Sequence, residues 1–312
     1  MGARMYPEIE PYDHGMLDVG DGHHVYWEVC GNPDGKPAVV LHGGPGSGCN
    51  TNMRRYFDPE AYRVVLFDQR GCGRSTPHAG APVVDLSANT TDHLIADMEL
   101  LRTELDIDRW LVFAASWGSV LGLTYAVRHP ERVSAMVHAG VGIGLREEID
   151  LLSRGLGAMF PEAFARFTSV VADPDGDLPT EYLELLLDPD PAVHLKAADE
   201  WCAWENAMLP LTPANARFDP PEYRLAFARM VCHYWSHSCW LPDGYVLSNA
   251  SRLAGIPGVI VQGELDLGNL VGSPWRLAHA WPDAELVMIR DTAHGGSADM
   301  SAARVAATDR FR

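Results

Sequence analysis

Positive charge is what this chain has least of. Lys and Arg together number 24 against 42 Asp and Glu, a formal net charge of −18 over 312 residues. Such a surface repels phosphate backbones and anionic headgroups, so neither nucleic acid nor membrane is expected as a partner. A negative field suits solubility, and it also favours a substrate carrying an amine. No apolar run approaches membrane-spanning length. The start, Met1 to Glu8, lacks the apolar core of a signal peptide. Cysteine is sparse and scattered: Cys30, Cys49, Cys72, Cys202, Cys232 and Cys239 show no CxxC spacing. That pattern argues against a metal site or a disulfide framework and for reduced thiols in the cytoplasm. No metal and no cofactor is expected.

What the chain does have is 47% hydrophobic residues, 29 Gly and 22 Pro, enough for a large core with many turns. Gly15–Val19 and His24–Cys30 flank Gly20-Asp21-Gly22 and read as a hairpin. Pro37–Leu41, Tyr62–Phe67, Trp110–Phe113 and Val133–Ala139 read as buried strands. Between them, Asn89-Thr90-Thr91-Asp92 starts a helix with apolar positions Leu94, Ile95, Met98, Leu101 and Leu105. A second helix is expected from residue 117 to about His129. Alternation of this kind predicts an α/β fold, a mostly parallel sheet with helices on both faces. From about Gly142 to Asn249 the chain turns helical, rich in Trp and acid. Strand signals return at Gly258–Gln262 and Glu285–Ile289. The expected organisation is a core over 1–141 and 250–312, interrupted by a helical cap over 142–249.

The chemistry begins at Ala114-Ala115-Ser116-Trp117-Gly118, where a strand turns sharply into a helix. This is a nucleophile elbow with Ala at its first small position, and the tight turn presents Ser116 above the sheet end. A serine nucleophile needs a base and an acid that orients it. Asp266 follows the strand Gly258–Gln262, and His294 follows the strand Glu285–Ile289. Both stand past carboxyl ends of strands, where sites in open α/β sheets lie. The order Ser, Asp, His matches the α/β-hydrolase triad. His42-Gly43-Gly44-Pro45-Gly46-Ser47-Gly48 follows a third strand. Its backbone N–H groups, with that of Trp117, form an expected oxyanion hole centred on Gly44 and Trp117. A phosphate-cradling role is the rival reading, disfavoured because no GK[ST] ending and no suitable lysine follow.

His42-Gly-Gly-Pro-Gly, Asp68-Gln-Arg-Gly-Cys-Gly-Arg-Ser75, Asn89-Thr-Thr, Asp108-Arg-Trp110 and Ser116-Trp-Gly-Ser closely resemble the proline iminopeptidases (prolyl aminopeptidases) of the α/β-hydrolase superfamily. The likeness is dense over residues 22–140 and resumes over 256–312, while the cap matches in patches. The resemblance implies an α/β-hydrolase fold with an inserted helical lid. It implies a metal-free serine aminopeptidase that cleaves after an N-terminal proline or small residue through an acyl-enzyme. The partner is then a peptide or small molecule with a free amine. It also implies that Glu205, in Trp201-Cys-Ala-Trp204-Glu205, binds that amine, with Trp204 walling the pocket and Gly43 lining it. Asp68 and Arg70 are expected to pair beneath the site, with Cys72 as a small buried filler.

The chain departs from the family at Val231, in Ala228-Arg-Met-Val231-Cys-His233-Tyr234, where the pattern has a second glutamate. Loss of that carboxylate predicts a more apolar pocket and weaker amine recognition, with Glu222 as a candidate substitute. Glu264 stands where the family often has Arg. The alternative substrate is a biosynthetic intermediate carrying an aminoacyl protecting group. An esterase and a non-catalytic binding protein are the remaining readings. Epoxide and haloalkane chemistry is disfavoured because it uses an Asp at the elbow.

Overall fold

The computed structural model describes residues 5–209, 218 and 220–312. Eight strands form one sheet in the order β1-β2-β4-β3-β5-β6-β7-β8. They are β1 (Pro11–Asp18), β2 (His24–Gly31), β3 (Lys36–Leu41), β4 (Tyr62–Phe67), β5 (Trp110–Ser116), β6 (Val133–Val141), β7 (Gly258–Gly263) and β8 (Ala284–Ile289). The β1–β2 and β2–β4 pairs are antiparallel and all others parallel. The expected hairpin is β1–β2, starting four residues earlier than its apolar signal.

Alternation along the buried strands decides which face each side chain serves. Val39, Leu41, Trp110, Val112 and Ala114 pack into one apolar layer, and Ala38, Val40, Leu111 and Phe113 into the other. Helices α1 (Thr91–Glu104) and α2 (Trp117–Arg128) cover the first layer. Thr90 caps α1 by accepting from the His93 N–H, one residue into the predicted Asn-Thr-Thr start.

Between β6 and β7 the chain builds α3 (Arg146–Asp150), α4 (Pro161–Thr168), α5 (Leu178–Leu186), α6 (Pro191–Ala207), α7 (Pro221–Ser236) and α8 (Tyr245–Ser248). A π-helical turn, Leu151–Gly155, extends α3. These helices hold an apolar cluster of their own, with Phe167, Tyr182, Trp201 and Trp204 at its centre. Aromatic stacking there, such as Phe167 on Tyr182 at 4.6 Å, fixes relative helix positions without help from the sheet. Helices α9 (Ser273–Ala280) and α10 (Ala298–Arg310) complete the chain. No described helix is long and apolar enough to cross a membrane.

One buried group carries a stability prediction. His138 on β6 is fully buried, and neither ring nitrogen has a partner among the described residues. Burial pushes its pKa down to about 3, whereas an unfolded histidine titrates near about 6.5. The folded chain excludes a proton that the unfolded chain accepts. Its stability contribution is therefore complete above about pH 6.5 and is lost as pH falls toward the folded value, at up to roughly 1.4 kcal/mol per pH unit. His138→Leu is expected to flatten that part of the pH dependence, measured by urea unfolding at several pH values. Identical pH slopes in both proteins would refute the assignment.

Candidate active site

The sharp turn predicted at Ser116 is present. Ser116 ends β5 and caps α2 with φ 56 and ψ −127, a conformation that costs a non-glycine residue about 1–3 kcal/mol. Gly118 shows why the elbow needs small residues: a Cβ there would stand 2.2 Å from the Leu41 carbonyl oxygen. The start of α2 thus lies directly against the end of β3, next to the glycine loop.

That loop is tied to the elbow by a buried network centred on Gln69, from the Asp68-Gln-Arg stretch. Gln69 N–H donates to His42 Nε2 at 3.0 Å, and its side-chain amide donates to the His42 carbonyl at 3.1 Å. Trp117 Nε1–H donates to Gln69 Oε1 at 2.9 Å. His42 Nδ1 donates in turn to the Gly43 carbonyl at 2.9 Å, and burial holds the ring pKa below its ordinary value. One glutamine side chain therefore connects both halves of the expected oxyanion hole. Gly43 passes close to the nucleophile: a Cβ on it would lie 3.7 Å from Ser116 Oγ. Gly44, at φ +112, has a conformation that favours glycine.

Asp266 and His294 meet. His294 Nδ1 donates to Asp266 Oδ2 at 2.8 Å. The carboxylate also accepts from Gln262 Nε2 at 2.8 Å and from the Gly268 N–H at 3.0 Å. Burial pushes Asp266 upward, but the charge and hydrogen bond of His294 and these two donors outweigh it, leaving the carboxyl below its ordinary range. His294 is raised, first by the Asp266 charge, against burial and Arg304; Glu205 pulls in the same direction as Asp266.

Two glycines give the imidazole its place. A Cβ on Gly263 would stand 2.0 Å from the Ala293 carbonyl, so the His294 loop closes directly on the end of β7. Gly140, at φ +55, sits under the ring, where a Cβ would be 3.1 Å from His294 Cε1. Gly140 is the extra residue where the β5–β6 register shifts, beside Val141, the pairing partner of Ser116. The strand ends thus bring serine and imidazole to one cavity.

Ser116, Asp266, His294, Gly43, Gly44, Trp117 and Glu205 all line one cavity of about 440 Å³. Its remaining walls are largely apolar, including Val120, Ile149, Leu152, Met208, Phe227 and Trp235. An alcohol at a strained elbow, an imidazole held by a buried carboxylate and a glycine loop can together perform nucleophilic acyl transfer. Among the described residues no three His, Cys, Asp or Glu side chains are grouped to hold a metal ion. All six cysteines are free thiols.

Three expectations about supporting residues are corrected. Trp204 does not line the cavity. It is fully buried among Phe160, Phe164 and Phe167, its Nε1–H donating to the Leu152 carbonyl at 2.8 Å. Consecutive helical residues point about 100° apart, so Glu205 faces the cavity while Trp204 faces the helical core. Val231 is fully buried in the same core, one helical turn from the cavity-lining Phe227 and Trp235, and supplies no carboxylate there. Glu222 is exposed on the first turn of α7 and Glu264 is exposed past β7, so neither reaches the site. Asp68 and Arg70 do not pair with each other. Asp68 holds Arg74 at 2.7 Å and the Cys49 N–H at 2.7 Å, while Arg70 grips both oxygens of Asp97 at 2.7 Å. The chain leaves β4 at Phe67, so strand pairing does not set these two side chains, and each is held by a counter-ion from a different segment, the following loop and α1. Cys72 is buried against His42 Nε2 at 3.5 Å.

Comparison with known proteins fits this geometry. The α/β-hydrolase fold profile matches residues 36–299. A Streptomyces coelicolor protein named "Probable proline iminopeptidase" is 56% identical over 98% of this chain and 97% of its own length. The proline iminopeptidase of Xylella fastidiosa strain 9a5c is 43% identical over 98% of this chain and 99% of its own. This chain belongs to the proline iminopeptidase family of α/β hydrolases. It is accordingly a hydrolase. The crystal structure of proline iminopeptidase from Mycobacterium smegmatis shares the fold, with a TM-score of 0.62 at 21% identity over 96% of this chain and 95% of that one.

Sequence reasoning missed Gln69, Gln262 and Gly140. Gln262 alone holds three groups together, donating to Asp266 and Asn269 and accepting from the Val141 N–H at 2.8 Å. A glutamine inside a strand reading Gly-Val-Ile-Val-Gln-Gly was the available signal, since a buried amide must find partners.

Proposed function

We propose that the protein hydrolyses the amide bond after an N-terminal proline, or a small residue such as alanine, by an acyl-enzyme route. The supporting observation is the joint lining of one cavity by Ser116, the His294–Asp266 pair and Glu205. Ser116 Oγ attacks the acyl carbon while His294 Nε2, its other nitrogen committed to Asp266, takes the hydroxyl proton. The N–H groups of Gly44 and Trp117 receive the developing oxyanion. At the first residue of a helix the Trp117 N–H has no preceding turn to bond. The imidazolium then protonates the leaving amine, and water, deprotonated by the same ring, releases the acyl group. Glu205 holds the substrate ammonium, since a partly dry carboxylate binds a cation more strongly than water-exposed charge does. The helices over 142–249 act as the cap that keeps water out, and the reduced thiols fit a cytoplasmic setting.

Glu205→Gln is expected to raise KM for a prolyl arylamide by about tenfold or more, the cost of one charge-assisted bond. Hydrolysis of a carboxylic ester lacking an amine is expected to stay the same. Equal losses on both substrates would favour an esterase and remove Glu205 from amine recognition.

A further inference from the structure

Besides Asp266 and Glu205, the cavity is lined by a third carboxylate that the motif reading did not anticipate. Glu148, in the first turn of α3, lines it beside Val120 and Ile149. Three neutral donors hold it in place: the Ile143 N–H at 3.1 Å, the Leu145 N–H at 2.9 Å and the Ser273 hydroxyl at 2.5 Å. It forms no ion pair among the described residues, and no Lys or Arg is among the described residues that line the cavity. Burial raises its carboxyl pKa, with the Ser273, Leu145 and Ile143 hydrogen bonds pulling the other way.

What opens this group to the cavity is Gly142. A Cβ there would lie 3.9 and 4.0 Å from the Glu148 oxygens and 3.5 Å from Val120 Cγ2, all ordinary contact distances. Its φ lies outside the left-handed region. Neither backbone nor neighbours demand glycine at 142, and the missing side chain leaves a gap between carboxylate and cavity. Val120 stands four residues after Ser116, the cap of α2, about 6 Å along the axis at the helical rise. That is the scale separating a scissile carbonyl from an α-amine and its hydrogen-bonding acceptor.

We infer that Glu148, reached across Gly142, is a specificity-determining carboxylate that reads the substrate ammonium together with Glu205. The two come from different elements, α3 and the end of α6, and supply a pair of acidic acceptors although Val231 supplies none. The inference rests on the aminopeptidase reading above, since a substrate without an amine would have no use for either group.

The experiment compares a prolyl arylamide with its cyclopentanecarbonyl counterpart, in which the ring nitrogen is replaced by carbon. Wild type is expected to prefer the prolyl compound through KM. Glu148→Gln should raise KM for the prolyl compound about tenfold with kcat little changed, and leave the cyclopentanecarbonyl compound unaffected. Because Glu148 also supports the start of α3, Gly142→Ala provides an independent arm. It leaves every hydrogen bond of Glu148 intact and fills the gap, so it should shrink the prolyl preference in the same direction. If Gly142→Ala keeps the full preference, and any folded Glu148→Gln does too, the inference is wrong while the aminopeptidase reading stands. If wild type shows no preference for the amine, both fall together.

Discussion

Ser116→Ala is expected to lower kcat on a prolyl arylamide by roughly 10⁵- to 10⁶-fold, the scale of nucleophile removal in serine hydrolases. The change deletes one oxygen and nothing that holds the fold. Ala115 and Ser116 continue β5, α2 begins at Trp117, and the φ of 56 at position 116 is no worse for alanine than for serine. Urea unfolding should shift by less than about 0.5 kcal/mol, because the change removes one hydroxyl from a residue that lines the cavity. Residual turnover would come from the glycine loop and substrate binding alone. A fluorophosphonate should label the wild type at Ser116 and leave the variant unlabelled. Retention of full amidase activity by Ser116→Ala would end the acyl-enzyme account, whatever the fold.

Asp266→Asn is the next largest effect, roughly 10⁴-fold in kcat, as when the orienting acid of a triad loses its charge. Here the reason is visible in the hydrogen bonds. Asp266 Oδ2 accepts from His294 Nδ1 and from Gln262 Nε2 at once, and an amide nitrogen turned toward either would oppose donor to donor. The ring would lose the partner that fixes which nitrogen carries the proton. The pH profile should also move. His294 is raised first by the Asp266 charge, and the base acts only when neutral, so the acid limb of kcat/KM in wild type should lie above the ordinary histidine value of about 6.5. Removing the charge should carry that limb downward. The two members of the pair contribute stability with opposite pH dependences. The raised His294 stabilises fully below about pH 6.5 and loses its contribution as pH rises through its folded value. The lowered Asp266 stabilises above about pH 3.9 and loses its contribution as pH falls. An acid limb unchanged in Asp266→Asn would mean that the carboxylate does not set the imidazole pKa.

Both predictions concern residues that local pattern alone brought forward. Short apolar runs ending in Gly, Ser or Asp mark the strand ends, and strand ends are where an open α/β sheet presents side chains. The elbow, the Gly43-Gly44 loop and the loops carrying Asp266 and His294 each follow such a run. Their order along the chain was sufficient to expect that they meet. The supporting residues were harder to read. Which of Trp204 and Glu205 turns inward depends on the rotation of α6, and that rotation is decided by aromatic packing against Phe164 and Phe167, contributed by another helix. Asp68 and Arg70 looked like partners at a separation of two residues, but their counter-ions, Arg74 and Asp97, come from different segments, the following loop and α1. Glu148 carries no pattern beyond the start of a short helix, and its access to the cavity depends on a glycine six residues earlier.

From its sequence alone this protein was determined to be an α/β hydrolase with a serine nucleophile, because strand periodicity, glycine at forced turns and the Ser-Asp-His order are local properties that adjacent residues express. Only the tertiary structure decided which acids face the substrate and which aromatics stay in the core. Those outcomes depend on helix rotation and on contacts between segments far apart in the chain, and no local spacing encodes them.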